Sequence, residues 1–122
     1  MDLQAASALV VDDNGENRNL LARRLHCKGL QVMEAVNGRQ ALELIRQHNF
    51  DLVLLDIMMP VMNGNQVLEA LNADAKLRHL PVIVISGVDG AEIVMALENA
   101  LETFRGMAER FDDTTLVIAR RL

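Results

Sequence analysis

Four apolar residues, Leu52-Val53-Leu54-Leu55, run without a polar break into Asp56, and Pro60 follows four positions later. The run is short and wholly apolar, as expected of a strand buried on both faces of a parallel sheet. Pro60 has no N–H for a ladder, so the chain must leave the sheet by that point. Asp56 is thereby placed where a buried strand emerges at its carboxyl end, the edge at which open α/β sheets bind ligands. One aspartate in that position does no more than suggest a turn. Its significance depends on what the other strands bring to the same edge.

Ser7-Ala8-Leu9-Val10-Val11 reads as a first buried strand, followed by Asp12-Asp13-Asn14-Gly15, which has turn and helix-start chemistry. A helix follows from Glu16 to Lys28, with Leu20, Leu21 and Leu25 on its inner face, Arg18, Arg23 and Arg24 outside, and Gly29 placed to stop it. Gln31 to Ala35 alternates like an edge strand. Asn37 caps a second helix carrying Ala41, Leu42, Leu44, Ile45 and His48. After the buried strand and a loop from Met59 to Gly64, a short helix carries Val67, Leu68 and Leu71. A polar connection from Asn72 to Leu80 leads to the strand Pro81–Ile85, which ends in Ser86-Gly87. Regular alternation of strand and helix calls for a parallel sheet covered on both faces, with right-handed crossovers.

The last third has a different pattern. Ile93, Leu97, Ala100, Leu101, Phe104, Met107, Ala108 and Phe111 form one helical stripe from Ala91 to Phe111, long for a crossover helix. Thr114 to Ala119 reads as a fifth strand, and no helical pattern follows it. The expectation is a doubly wound α/β domain over residues 1–122, with a lengthened fourth helix and no final helix. One sheet face would then need cover from the long helix or from a second chain.

Composition narrows the function classes. With 122 residues and 51% hydrophobic content the chain suits one globular domain. A net charge of −5 argues against direct nucleic-acid binding. Cys27 alone allows no internal disulfide and no cysteine metal cluster, and its helical setting predicts a partly buried, inert thiol. His26, His48 and His79 share no metal-ligand spacing and read as surface residues. No apolar run is long enough to span a membrane and no basic-then-apolar leader opens the chain, so a cytoplasmic location is expected.

Parallel strands point one way, so Asp12 and Asp13, Asp56 and Ser86 gather at one sheet edge. Carboxylates that close repel, and a hard divalent cation resolves the conflict. Such an ion neutralises phosphoryl oxygens, an aspartate can act as nucleophile, and a serine hydroxyl can donate to phosphate.

Val10-Val11-Asp12-Asp13-Asn14, Asp51 to Pro60, Met62-Asn63-Gly64 and Pro81 to Gly87 together resemble the receiver domains of two-component response regulators, over about residues 6–88. The resemblance implies a flavodoxin-like fold and a phosphoryl group accepted by Asp56 from a histidine kinase. It implies Mg²⁺ held by Asp13 directly, by Asp12 mainly through water, by Asp56 and by the Met58 carbonyl. Ser86 would be the switch hydroxyl. Residues 89–122 depart from the family pattern. The lysine at the end of the fifth strand is absent, since Lys28 and Lys76 are the only lysines, and Arg120 is the candidate to replace it. The strand also lacks the family's aromatic switch residue.

The stretch from Leu101 to Arg120 resembles the C-terminal end of metal-dependent serine/threonine phosphatases, in which an aspartate at the place of Asp112 binds metal. The rest of such a phosphatase has no room here, so phosphatase activity is not expected and Asp112-Asp113 reads as a turn. An enzyme with an aspartate nucleophile would carry a second aspartate two positions on, where this chain has Met58. A flavin site would need a phosphate cradle that the loops lack. The competing reading is a receiver-like interaction module that no longer switches. A homodimer, with the C-terminal helix and strand exchanged between protomers, is expected in either case.

Overall fold

The computed structural model describes residues 6–56, 64–77, 80–86, 95, 97–99, 101–102 and 115–120. Five parallel strands form one sheet: β1 (Ser7–Val11), β2 (Gln31–Ala35), β3 (Leu52–Asp56), β4 (Val82–Ser86) and β5 (Thr115–Arg120). Their order is β2-β1-β3-β4-β5. Three helices connect the first four strands, α1 (Gly15–Cys27), α2 (Gly38–Gln47) and α3 (Gly64–Ala73). The doubly wound parallel sheet expected from the alternating runs, and the flavodoxin-like fold implied by the resemblance, are observed.

Pleating sorts the strand residues onto two faces. Ala8, Val10, Leu52, Leu54 and Ile83 pack with Leu21 and Leu25 of α1. Leu9, Val11, Val53, Leu55, Val82 and Val84 pack with Ala41, Leu42 and Ile45 of α2 and with Val67 and Leu71 of α3. Leu54 lies in register between Val10 and Ile83 and is 1% exposed. At about 25 cal/mol per Å² of apolar surface, burying such a leucine stabilises the fold by roughly 2 kcal/mol. Apolar burial on both faces explains why these strands read as unbroken runs.

Local chemistry sets the helix ends. The Asn14 side chain accepts from the N–H groups of Glu16 and Asn17 and so caps α1. Gly29, at φ 93°, ends it, with its N–H donating to His26 and that of Leu30 to Leu25. Asn37 accepts from the Gln40 N–H and caps α2, as the sequence predicts.

Two expectations for α1 are corrected. Leu20 does not share the inner face with Leu21 and Leu25: it is 37% exposed. Cys27 is exposed rather than partly buried. Leu21 and Leu25 are one helical turn apart and fill the contact with the sheet, which leaves the flank carrying Leu20 and Cys27 toward solvent.

The greater departure lies beyond β4. The steps β1→β2, β2→β3 and β3→β4 all have one hand, with α1 on one face for the leftward step and α2 and α3 on the other for the rightward steps. A rightward step from β4 to β5 in that hand would place its helix beside α2 and α3. Helical residues Leu97 and Leu101 instead pack in the α1 cluster, 0% and 2% exposed. Glu98 pairs with Arg24 at 3.4 Å and Lys28 at 2.8 Å. The uniform right-handed crossovers expected from the sequence therefore do not describe these residues. The long stripe is one of two covers expected for a sheet face, and Leu97 and Leu101 join Ala8, Val10, Leu54 and Ile83 on the α1 side. The remaining stripe residues, Ile93, Ala100, Phe104, Met107, Ala108 and Phe111, and the turn at Asp112-Asp113 lie outside the described residues or side chains.

Candidate functional site

β1 and β3 are adjacent and parallel, with Val11 opposite Leu55, so Asp12 and Asp56 leave the sheet side by side. Asp13 follows in the β1–α1 turn. One carboxylate oxygen from each of Asp12, Asp13 and Asp56 lies within 4.8 Å of the others. Asp12 is buried at 4% exposure, Asp56 is half-buried and Asp13 is exposed, so the cluster grades from the protein interior to solvent.

Asp12 is held at every polar group. Its N–H donates to the Ala35 carbonyl of β2 at 3.2 Å, and its carboxylate accepts from the Asn14 N–H at 2.8 Å. Its carbonyl accepts from Arg18 Nη1 at 2.9 Å. Burial pushes its carboxyl above the ordinary aspartate range. The Asn14 N–H opposes that shift, the Asp13 charge adds to it, and a side-chain hydrogen bond with Asp56 and the Arg18 charge pull it back. A carboxyl that resists ionisation because of burial and a like charge is one that a cation would return to its charged form.

Ser86 ends β4, and backbone register places it beside Arg120 of β5, after an irregularity between Val84 and Ile85. The acidic cluster, Ser86 and Arg120 thus occupy the carboxyl ends of neighbouring strands. Met58 and the loop through Pro60 lie outside the described residues. Arg18 and Glu34 are what sequence reasoning missed. Arg18 was assigned to the outer face of α1, yet its side chain is only 21% exposed and its Nε donates to Glu34 Oε1 at 3.0 Å. The available signal was position: Arg18 lies one turn after the Asn14 cap, and Glu34 precedes the residue that binds the Asp12 N–H.

A family model for the response regulator receiver domain matches residues 8–113. The chain belongs to the response regulator receiver family. It is 38% identical over 80 residues to the polar-differentiation response regulator DivK of Brucella anthropi, covering 66% of this chain and 65% of that protein. It is 35% identical over 113 residues to the response regulator PleD of Caulobacter vibrioides, covering 92% of this chain and 24% of PleD. The chain thus spans less than two thirds of either relative. Among solved structures, the signal receiver domain of a Syntrophus aciditrophicus signal transduction histidine kinase superposes with a TM-score of 0.74 at 23% identity, covering 93% of this chain and 99% of that one. The Thermotoga maritima response regulator TrrA, solved in complex with Mg²⁺-BeF, gives 0.68 at 25% identity, covering 96% and 88%. The receiver match continues to residue 113, through the start of the stretch that resembled a phosphatase terminus, and the comparisons give that second resemblance no support.

Proposed function

We propose that this chain is a phosphoacceptor signalling domain in which Asp56 takes a phosphoryl group from a histidine kinase. The observation that carries the reading is the meeting of three carboxylates within 4.8 Å at the carboxyl edge of the sheet. The donor set suits Mg²⁺: hard oxygen ligands of graded exposure, one of them held against ionisation by its surroundings. Asp12, Asp13 and Asp56, with the Met58 carbonyl, would hold the ion. When bound, it would supply positive charge to the carboxylates and to the oxygens of the incoming phosphoryl group.

This chain's own residues then have simple roles. A carboxylate oxygen of Asp56 attacks phosphorus, the bond from phosphorus to the kinase imidazole nitrogen breaks, and that nitrogen keeps the electron pair. The product is an acyl phosphate on Asp56. Ser86 donates its hydroxyl to a phosphoryl oxygen. Arg120, beside Ser86 in the strand register, supplies the cation where the family carries lysine; an unchanged phosphorylation rate in Arg120→Ala would remove it from the site. The domain signals rather than turns over substrate, and no phosphatase activity of its own is assigned. No helix among the described residues is long and apolar enough to cross a membrane, and the site is proposed to work in the cytoplasm.

The missing lysine favours a second reading, an interaction module of receiver fold that no longer switches. One experiment separates the two. Incubation with a small-molecule phosphodonor and Mg²⁺ should add one phosphoryl mass to Asp56, whereas no adduct would favour the module. The homodimer also remains a proposal. β5 pairs with β4 of its own chain, so exchange of the C-terminal helix and strand is not required to complete the sheet. A monomer by light scattering at high concentration would refute the dimer.

A further inference from the structure

We infer that Arg18 is a positioning residue for the cation site, acting with Glu34 as a brace that fixes the Asp12-Asp13 segment. The inference rests on the proposed Mg²⁺ site and goes beyond its ligands. Three carboxylates sharing one crevice push the loop that carries two of them outward. The sheet restrains that loop through the backbone bond from the Asp12 N–H to the Ala35 carbonyl. Arg18 supplies a second restraint from the opposite side. Its Nη1 donates to the Asp12 carbonyl at 2.9 Å while its Nε donates to Glu34 Oε1 at 3.0 Å. One planar group therefore ties α1, the end of β1 and the end of β2 together. The guanidinium is directed at a main-chain carbonyl and at a carboxylate outside the cluster, so it braces the ligand segment without filling the cation's place. A lysine carries the same charge but lacks the rigid fork that holds two acceptors at fixed angles.

The test compares wild type with Arg18→Ala, Arg18→Lys and Glu34→Gln. Calorimetry reads Mg²⁺ affinity, and phosphorylation by acetyl phosphate reads the half-saturating Mg²⁺ concentration and the rate at saturating Mg²⁺. Residues that orient metal ligands commonly change affinity by about 10–100-fold, so Arg18→Ala should raise the half-saturating concentration about 10-fold or more. The rate at saturating Mg²⁺ should hold, Arg18→Lys should recover part of the affinity, and Glu34→Gln should shift it less in the same direction. A purely structural role would lower thermal stability in chelator and leave Mg²⁺ affinity alone; that result, or a loss in the saturated rate only, overturns the inference. If Arg18→Ala does not fold by circular dichroism, Glu34→Gln decides, and unchanged affinity there overturns it. Wild type that binds no Mg²⁺ overturns the proposed function and this inference together, whereas wild type that binds while the variants match it overturns this inference alone.

Discussion

Replacing Asp12 by asparagine should make the metal-free protein more stable and the metal-loaded protein less so. At 4.8 Å, the outer limit of the cluster, two unit charges repel by about 3.5 kcal/mol at an effective dielectric of 20 and by about 0.9 kcal/mol in bulk water. The exposed Asp13 lies nearer the second case, while Asp12 and Asp56 are joined by a side-chain hydrogen bond rather than set apart as two full charges. Against that relief, the Asn14 N–H exchanges a charged acceptor for a neutral one, a loss of about 1 kcal/mol. Relief of the burial penalty on the Asp12 charge, the largest of these effects, adds to the Asp13 repulsion, and the net expectation in chelator at pH 8 is about 1–2 kcal/mol of added stability. With an unfolding entropy of about 2.1 cal/mol/K per residue, a chain of 122 residues gains about 4 °C in Tm per kcal/mol, so the variant should melt about 4–8 °C higher. Magnesium at 100 times Kd adds about 2.7 kcal/mol to the wild type, about 10 °C, and less to the variant because a ligand is lost. The variant's advantage should therefore narrow on adding Mg²⁺.

The pH dependence has a definite sign. The folded-state pKa of Asp12 is raised, so the penalty is absent while the group is protonated and grows as pH rises through that raised value. The variant's advantage in chelator should shrink as pH falls from 8 toward the carboxylate range. The assay is differential scanning calorimetry with and without Mg²⁺ across that range. An asparagine variant that melts below wild type in chelator at pH 8, or that gains from Mg²⁺ equally, would refute the argument.

Asp56→Asn should take up no phosphoryl group from a small-molecule donor, read by intact mass, while keeping a wild-type circular dichroism spectrum; labelling of the variant at another carboxylate would count against Asp56. Leu54→Ala should cost about 2–5 kcal/mol in urea unfolding, because Val10 and Ile83 flank it and cannot both close the cavity. Asn14→Ala should cost about 1 kcal/mol from the lost α1 cap. The backbone N–H of residue 14 survives this change, so its bond to the Asp12 carboxylate, and with it Mg²⁺ affinity, should hold.

The sheet was legible because each buried strand is an unbroken apolar run. The acidic edge was legible because Asp12, Asp13 and Asp56 directly follow or end those runs. Cap and stop residues at Asn14, Gly29 and Asn37 mark helix ends within a residue or so, since their chemistry is local. What was not legible depends on partners distant in sequence. The surface position of Leu20 reflects where the sheet lies relative to α1, and its leucine neighbours gave no hint of that. Arg18 reads as an exposed helical arginine until Glu34 and the Asp12 carbonyl are brought to it. Periodicity showed that Leu97 and Leu101 lie on one stripe, and the need to cover the face beside α1 named that stripe or a second chain; the two leucines pack there.

Leu97 and Leu101 seal an interior that includes Ala8, Val10, Leu21, Leu25 and Leu54. Every carboxylate of the acidic cluster is encoded before residue 57, while Leu97 and Leu101 of the same molecule's core come from its last third. Severing the chain after Ser86 would strip the lid from its oldest-made layer and leave Arg24 and Lys28 without Glu98.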